Sequence, residues 1–165
     1  DMHSSGTSAY QAEVRLIEHR TSAEHARGRV TVRERLKVLI VDDDPLIAEM
    51  YRLRLSAEGY EVAIARDGEE GLAMASATRP AFICLDYRLP GIDGLEALDR
   101  LRAEPTTNSI PVLMLSNDGD PGMRERGLRL GALNIGIKAE ITPGRLAEFI
   151  ARGEGALLRS TADAD

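Results

Sequence analysis

Reactive side chains close four short apolar runs in this chain: Asp42 and Asp43 follow KVLIV, Asp86 follows AFICL, Ser116 follows PVLML and Lys138 follows NIGI. If those runs are parallel strands of one sheet, the closing residues gather at its carboxyl edge, where open α/β sheets place ligand sites. Three carboxylates, one hydroxyl and one ammonium then share a cleft. Two adjacent carboxylates repel unless a cation sits between them. Mg²⁺ suits that place, being a hard cation that keeps several waters beside one or two carboxylates, with Asp86 completing the site. A phosphoryl group on Asp86 would lie among the metal, the Ser116 hydroxyl and the Lys138 ammonium, which offset its negative charge. Such an acyl phosphate is a mixed anhydride and hydrolyses, so the mark is reversible. Any one of these acids alone reads as a helix cap or a solvated loop residue. Four strand ends converging on one chemistry argue against that reading for the set. Lysine usage points the same way: nineteen Arg stand against only Lys37 and Lys138, so a compact ammonium at 138 reads as a choice over a planar guanidinium.

The elements needed to position these residues follow from the patterning. Strands are predicted at 37–41, 61–65, 81–85, 110–115 and 133–137, each a short apolar run. Helices are predicted at 45–58, 69–78, 94–103, 122–130 and 143–158. Asp44 serves as a cap and Pro45 as a first helical residue, Gly59 and Gly131 as stops, and Thr142 with Pro143 as another helix start. Near-continuous apolar strands alternating with helices predict a doubly wound, five-stranded parallel sheet. Residues 1–36 differ. They comprise a polar leader, a helix over 9–27 with Tyr10, Val14 and Ile17 on one stripe, and an extended 30–32 connector. They are read as an N-terminal extension that docks on a partner, pairs with a second copy or links to an upstream domain. Residues 37–158 are read as the folded domain and 159–165 as a disordered tail.

Composition bounds the function. At 165 residues and 43% hydrophobic content there is enough chain for one full core. The net charge of −6 is unevenly spread, with fifteen basic residues against twenty-two acidic over 37–165, so the globular part is acidic, which argues against nucleic acid as its direct ligand. Cys84, the only cysteine, lies inside an apolar run and reads as a buried strand residue in a reduced, cytoplasmic setting. No apolar stretch approaches the ~20 residues that span a bilayer, so no membrane partner is expected. His3, His19 and His25 all fall in the extension and read as surface residues.

The pair in VLIVDDDP, the context LDYRLPGIDGLEAL, the hydroxyl in PVLMLSN and the lysine in IGIK occur in order, and over residues 37–158 the chain resembles the receiver domains of bacterial two-component response regulators. The resemblance implies a flavodoxin-like sheet of order 2-1-3-4-5. It implies that Asp86 takes phosphate from a histidine kinase, a phosphotransfer protein or a small phosphodonor, with transfer and dephosphorylation catalysed by the domain itself rather than by a turnover enzyme. It also implies Mg²⁺ held by Asp43, Asp86 and the Arg88 backbone carbonyl, with Asp42 acting through a water. Ser116, the Asn117 amide and Lys138 would receive the phosphoryl oxygens, and Pro90 and Gly94 shape the loop behind the acceptor. An unknown downstream protein or output domain would read the face built from helix 122–130, strand 133–137 and the last helix, and a homodimer stays open.

Three residues depart from the family pattern. Ile135 stands where an aromatic commonly swings inward, Ala139 stands where proline often follows the lysine, and Asn117 is bulkier than the usual small residue. Arg88 and Asp118 flank the approach of water to Asp86 and are expected to tune the lifetime of the phosphorylated state. These departures motivate an alternative, a pseudo-receiver that binds partners without phosphate. A further alternative is a phosphatase of the haloacid dehalogenase type, reading IVDDDP as D-x-D with Asp42 as nucleophile and Asp44 as acid. No paired carboxylates follow Lys138 to serve that chemistry.

Overall fold

The computed structural model describes residues 35–162, with side chains described to residue 153. The leader, the 9–27 helix and the 30–32 connector expected above lie outside the described residues, as do 163–165. Strands β1 (Lys37–Val41), β2 (Glu61–Ala65), β3 (Phe82–Asp86), β4 (Val112–Ser116) and β5 (Asn134–Ile137) form one parallel sheet in the order β2-β1-β3-β4-β5. The fold class is as expected. After β2 the sheet grows the other way, from β1 to β3, and at such a switch point the loops leaving the two central strands diverge and open a crevice.

Side chains alternate across each strand, so one sequence run feeds two cores. Leu39, Val41, Ile83, Leu85, Val112 and Met114 face one layer, where helices α2 (Gly68–Thr78), α3 (Gly94–Ala103) and α4 (Pro121–Arg129) contribute Ala75, Leu98 and Met123. Val38, Ile40, Phe82, Cys84, Leu113 and Leu115 face the other, covered by α1 (Pro45–Ala57) and α5 (Pro143–Ala162) through Tyr51, Leu55, Leu146 and Ile150. Truncating one such leucine to alanine costs about 2–5 kcal/mol, because the cavity left behind only partly closes.

The helices start where carboxylates can accept otherwise orphaned N–H groups. Asp44, Asp67, Asp93 and Asp120 are the N-caps of α1 to α4, each side chain accepting a first-turn N–H. Thr142 Oγ1 accepts from Arg145 N at 3.2 Å at the start of α5. Gly71 lets α2 lie against β1, since a Cβ there would meet both Val41 γ-carbons at 3.0 Å.

Several boundaries differ from expectation by one or more residues. Asp86 and Ser116 are the last rungs of β3 and β4 rather than the first residues beyond them, because the ladder continues through Asp86 opposite Leu115 and Ser116 opposite Ile137. At the other end, Ile110 donates to the Thr107 carbonyl in a turn, and β4 begins only after Pro111. Helix α5 runs to Ala162 rather than stopping at 158, as no proline interrupts ALLRSTA. No peptide bond among the described residues is cis, including the one after Lys138.

Candidate phosphoacceptor and metal site

Register assembles the site. Val41 is paired with Leu85 across β1 and β3, so Asp42 and Asp86 both follow the same rung and emerge side by side at the crevice. Asp42 is 2% exposed and Asp86 3% exposed. The Asp42 backbone N–H donates to the Ala65 carbonyl at 3.0 Å, and its Oδ1 accepts from Asp44 N at 2.9 Å. Asp43, next in the chain, turns outward and is exposed. Lys138 enters from the end of β5 and joins the two buried acids, its Nζ 2.8 Å from Asp86 Oδ2 and 2.9 Å from Asp42 Oδ2.

Asp86 lies so close to the start of α3 that only glycine fits beneath it. A Cβ on Gly94 would stand 2.5 Å from the Asp86 carbonyl oxygen and 2.8 Å from Tyr87 Cα. The Gly94 N–H donates to the Tyr87 carbonyl at 2.8 Å, fixing the loop behind the carboxylate. Behind Lys138, a 3-10 turn (Lys138–Glu140) leads into Ile141, whose carbonyl accepts from the Tyr51 hydroxyl at 2.7 Å. That half-buried bond ties α1 to the lysine's turn. It joins residues ninety positions apart, and no local motif announced it.

The electrostatics are those of a crowded, partly dry pocket. Burial pushes the Asp86 carboxyl above the ordinary aspartate value; the Lys138 hydrogen bond pulls it back, and the Asp42 charge adds to the rise. Burial alone would lower the Lys138 ammonium, but hydrogen bonds and charge from Asp86 and Asp42 outweigh it and hold the group above its ordinary value. Cys84 is fully buried beneath the site; desolvation and then the Asp42 and Asp86 charges push its thiol upward, so it is a poor nucleophile.

Asp42, Asp43 and Asp86 each offer a carboxylate oxygen, all within 4.8 Å of one another. Three anions face one ammonium, which leaves two negative charges, and the donors are hard oxygens of which one residue is exposed. That set fits Mg²⁺ with several retained waters. The Arg88 backbone N–H reaches Asp86 Oδ1 at 3.4 Å, and its side chain is exposed. Ser116 is 1% exposed, and its hydroxyl is turned to the neighbouring loop, donating to the Asp118 carbonyl at 2.6 Å. Asn117 is exposed, and Ile135 is buried against Gly127 and Met114. Asp44, the acid of the phosphatase reading, spends its Oδ1 capping α1 through Leu46 N and Ile47 N.

The model of the response regulator receiver domain matches residues 38–151. The chain belongs to the response regulator receiver family. Among its relatives, the phosphate regulon transcriptional regulatory protein PhoB of Rhizobium meliloti is 35% identical over 124 residues, covering 75% of this chain and 53% of that protein. The DNA-binding dual master transcriptional regulator RpaA of Synechocystis is 39% identical over 125 residues, covering 76% and 50%. The chain thus spans about half the length of these curated relatives. The chemotaxis response regulator CheY4 of Vibrio cholerae is 33% identical at a TM-score of 0.67, covering 72% of this chain and 98% of that structure. A receiver domain protein from Methanospirillum hungatei is 26% identical at a TM-score of 0.65, covering 74% and 99%. As a receiver, the chain is a signalling domain and not a haloacid dehalogenase-type phosphatase. No helix among its described residues is long and apolar enough to cross a membrane.

Proposed function

We propose that this receiver takes a phosphoryl group onto Asp86 and catalyses both that transfer and its reversal. One observation carries the reading: the Lys138 ammonium bridges Asp86 and Asp42 in a pocket that also holds Asp43. In the forward step a carboxylate oxygen of Asp86 attacks phosphorus. The bond from phosphorus to the donor breaks, and its electron pair leaves on the donor nitrogen or oxygen. Asp42, Asp43, Asp86 and the Arg88 carbonyl would hold Mg²⁺, which when bound would supply positive charge to the phosphoryl oxygens. Lys138 stays in contact with the acceptor and neutralises the charge that accumulates as transfer proceeds. The Ser116 hydroxyl, once released from Asp118, receives a phosphoryl oxygen, and Asn117 stands beside it. Water attacking the same phosphorus returns Asp86 to a carboxylate and releases phosphate.

The donor is a histidine kinase or a phosphotransfer protein. The exposed face of α1 supports a helical donor, since Leu46, Met50 and Leu53 form an apolar stripe that starts two residues from Asp44 at the pocket mouth. The output is read by protein contact on the α4, β5 and α5 face, by a downstream protein or an output domain. A titration with beryllofluoride or acetyl phosphate, with and without Mg²⁺, tests the reading. The expected result is a Mg²⁺-dependent response that Asp86→Asn abolishes; a response indifferent to Mg²⁺ or to that substitution refutes it.

A further inference from the structure

Ser116 cannot serve a phosphoryl group on Asp86 in the arrangement present here. A serine hydroxyl has one proton to give. That proton is directed to the Asp118 carbonyl at 2.6 Å, with Asp118 Oδ1 at 3.3 Å, and the hydroxyl accepts from the Asp118 N–H at 3.3 Å. The other oxygen of the same carboxylate faces the loop beyond Asp86: Asp118 Oδ2 stands 3.8 Å from Arg88 Nη2, both side chains being 66% exposed. Asp118 therefore touches two groups at once, one from each loop flanking the pocket. Each of them carries donors suited to a phosphoryl oxygen.

From this geometry we propose that Asp118 is a latch. It is a positioning residue that holds the Ser116 hydroxyl and the Arg88 guanidinium away from Asp86 until phosphorylation exchanges their partner. The inference rests on Asp86 being the phosphoacceptor. A phosphoryl group carries nearly two negative charges and three acceptor oxygens, whereas Asp118 offers one charge at the edge of ion-pair distance. Arg88, two residues after Asp86, passes from Asp118 to the phosphoryl group. Asp118 then loses its cation and lies near an added dianion, the 116–118 turn loosens, and the Ser116 hydroxyl rotates to the phosphoryl oxygen. The latch thus ties the β4–α4 loop to occupancy of Asp86 through one residue, whose backbone carbonyl holds the Ser116 hydroxyl and whose carboxylate faces Arg88.

The test is a double-mutant cycle on the full 165-residue chain, reading beryllofluoride affinity calorimetrically in the presence of Mg²⁺. Asp118→Ala is expected to bind beryllofluoride up to about fivefold more tightly than the parent, the scale of an exposed ion pair. The gain should shrink as ionic strength rises. In an Arg88→Met background the same Asp118→Ala change is expected to have little effect, because the guanidinium that the carboxylate holds is gone and the backbone bonds of residue 118 to Ser116 survive the change to alanine. Equal tightening with and without Arg88 would overturn the latch and reduce Asp118 to simple charge repulsion. Unchanged affinity of Asp118→Ala in a parent that does bind beryllofluoride would overturn the latch alone. A parent that binds none, matching Asp86→Asn, would remove the phosphoacceptor reading and the latch with it.

Discussion

Replacing Lys138 by methionine tests how the site's charges are held. The substitution keeps a long apolar stem and deletes the ammonium that contacts Asp86 Oδ2 at 2.8 Å and Asp42 Oδ2 at 2.9 Å. The two carboxylate side chains are only 4% and 3% exposed, so water cannot replace the lost donor fully. Removing one partner of a buried ion pair costs about 3–5 kcal/mol. The lower end applies, because Lys138 is 11% exposed and Asp43 opens the pocket to solvent. Unfolding entropy of roughly 2 cal/mol/K per residue, over a domain of this size, turns about 3 kcal/mol into a loss of roughly 11 °C in Tm. The pH dependence has a definite sign. Burial already holds the Asp86 carboxyl above its ordinary value, and without Lys138 its main lowering influence disappears. A group with a raised pKa binds its proton more tightly in the fold, so acidification through that value favours the folded state. The deficit of Lys138→Met is therefore largest at neutral pH and shrinks as pH falls toward about 4, the ordinary aspartate range. Melting followed by circular dichroism, in chelator and then in Mg²⁺, reads both effects, and added Mg²⁺ should recover more stability in the variant than in the parent. A Tm within a degree or two of the parent, or a deficit that does not change with pH, would refute the argument that the ammonium compensates buried charge.

Two substitutions probe the scaffold. Gly94→Ala places a methyl 2.5 Å from the Asp86 carbonyl oxygen, so we expect a loss of about 1–3 kcal/mol in chemical denaturation together with weaker beryllofluoride binding, as the acceptor loop must shift. Asp44→Ala deletes the α1 cap that accepts from Leu46 N and Ile47 N; stability should fall by about 1 kcal/mol, while the response to beryllofluoride survives, since Asp44 caps a helix and does no chemistry.

Much of this was legible in the sequence because the strands are short, apolar and closed by polar residues that cannot continue into a core. The stops at Asp42, Asp86, Ser116 and Lys138 marked both the strand ends and the edge at which they meet. Parallel order then follows from helices long enough to return the chain. Boundaries set by the ladder were less legible, since only a neighbouring strand decides that Asp86 is the last rung of β3. The division of labour between Asp42 and Asp43 was hidden too. Which of two adjacent aspartates is buried depends on the pleat of β1 and on the Ala65 carbonyl that receives the Asp42 N–H. The engagement of the Ser116 hydroxyl by Asp118 and the bond from Tyr51 to Ile141 needed coordinates, because each depends on a turn that brings a specific carbonyl into reach. Ile135 was read as standing where an aromatic commonly swings inward. It is buried against Gly127, where a Cβ would stand 2.6 Å from its Cδ1.

Among the described residues, the reactive groups of the site ride on the sheet and its connecting turns, and the outward flanks of the helices carry none of them. The ladder works as a jig that keeps one reaction aligned while the exterior acquires new addressees. On the proposed reading, substitutions on the solvent side of α4 or α5 redirect who listens without retuning what is heard.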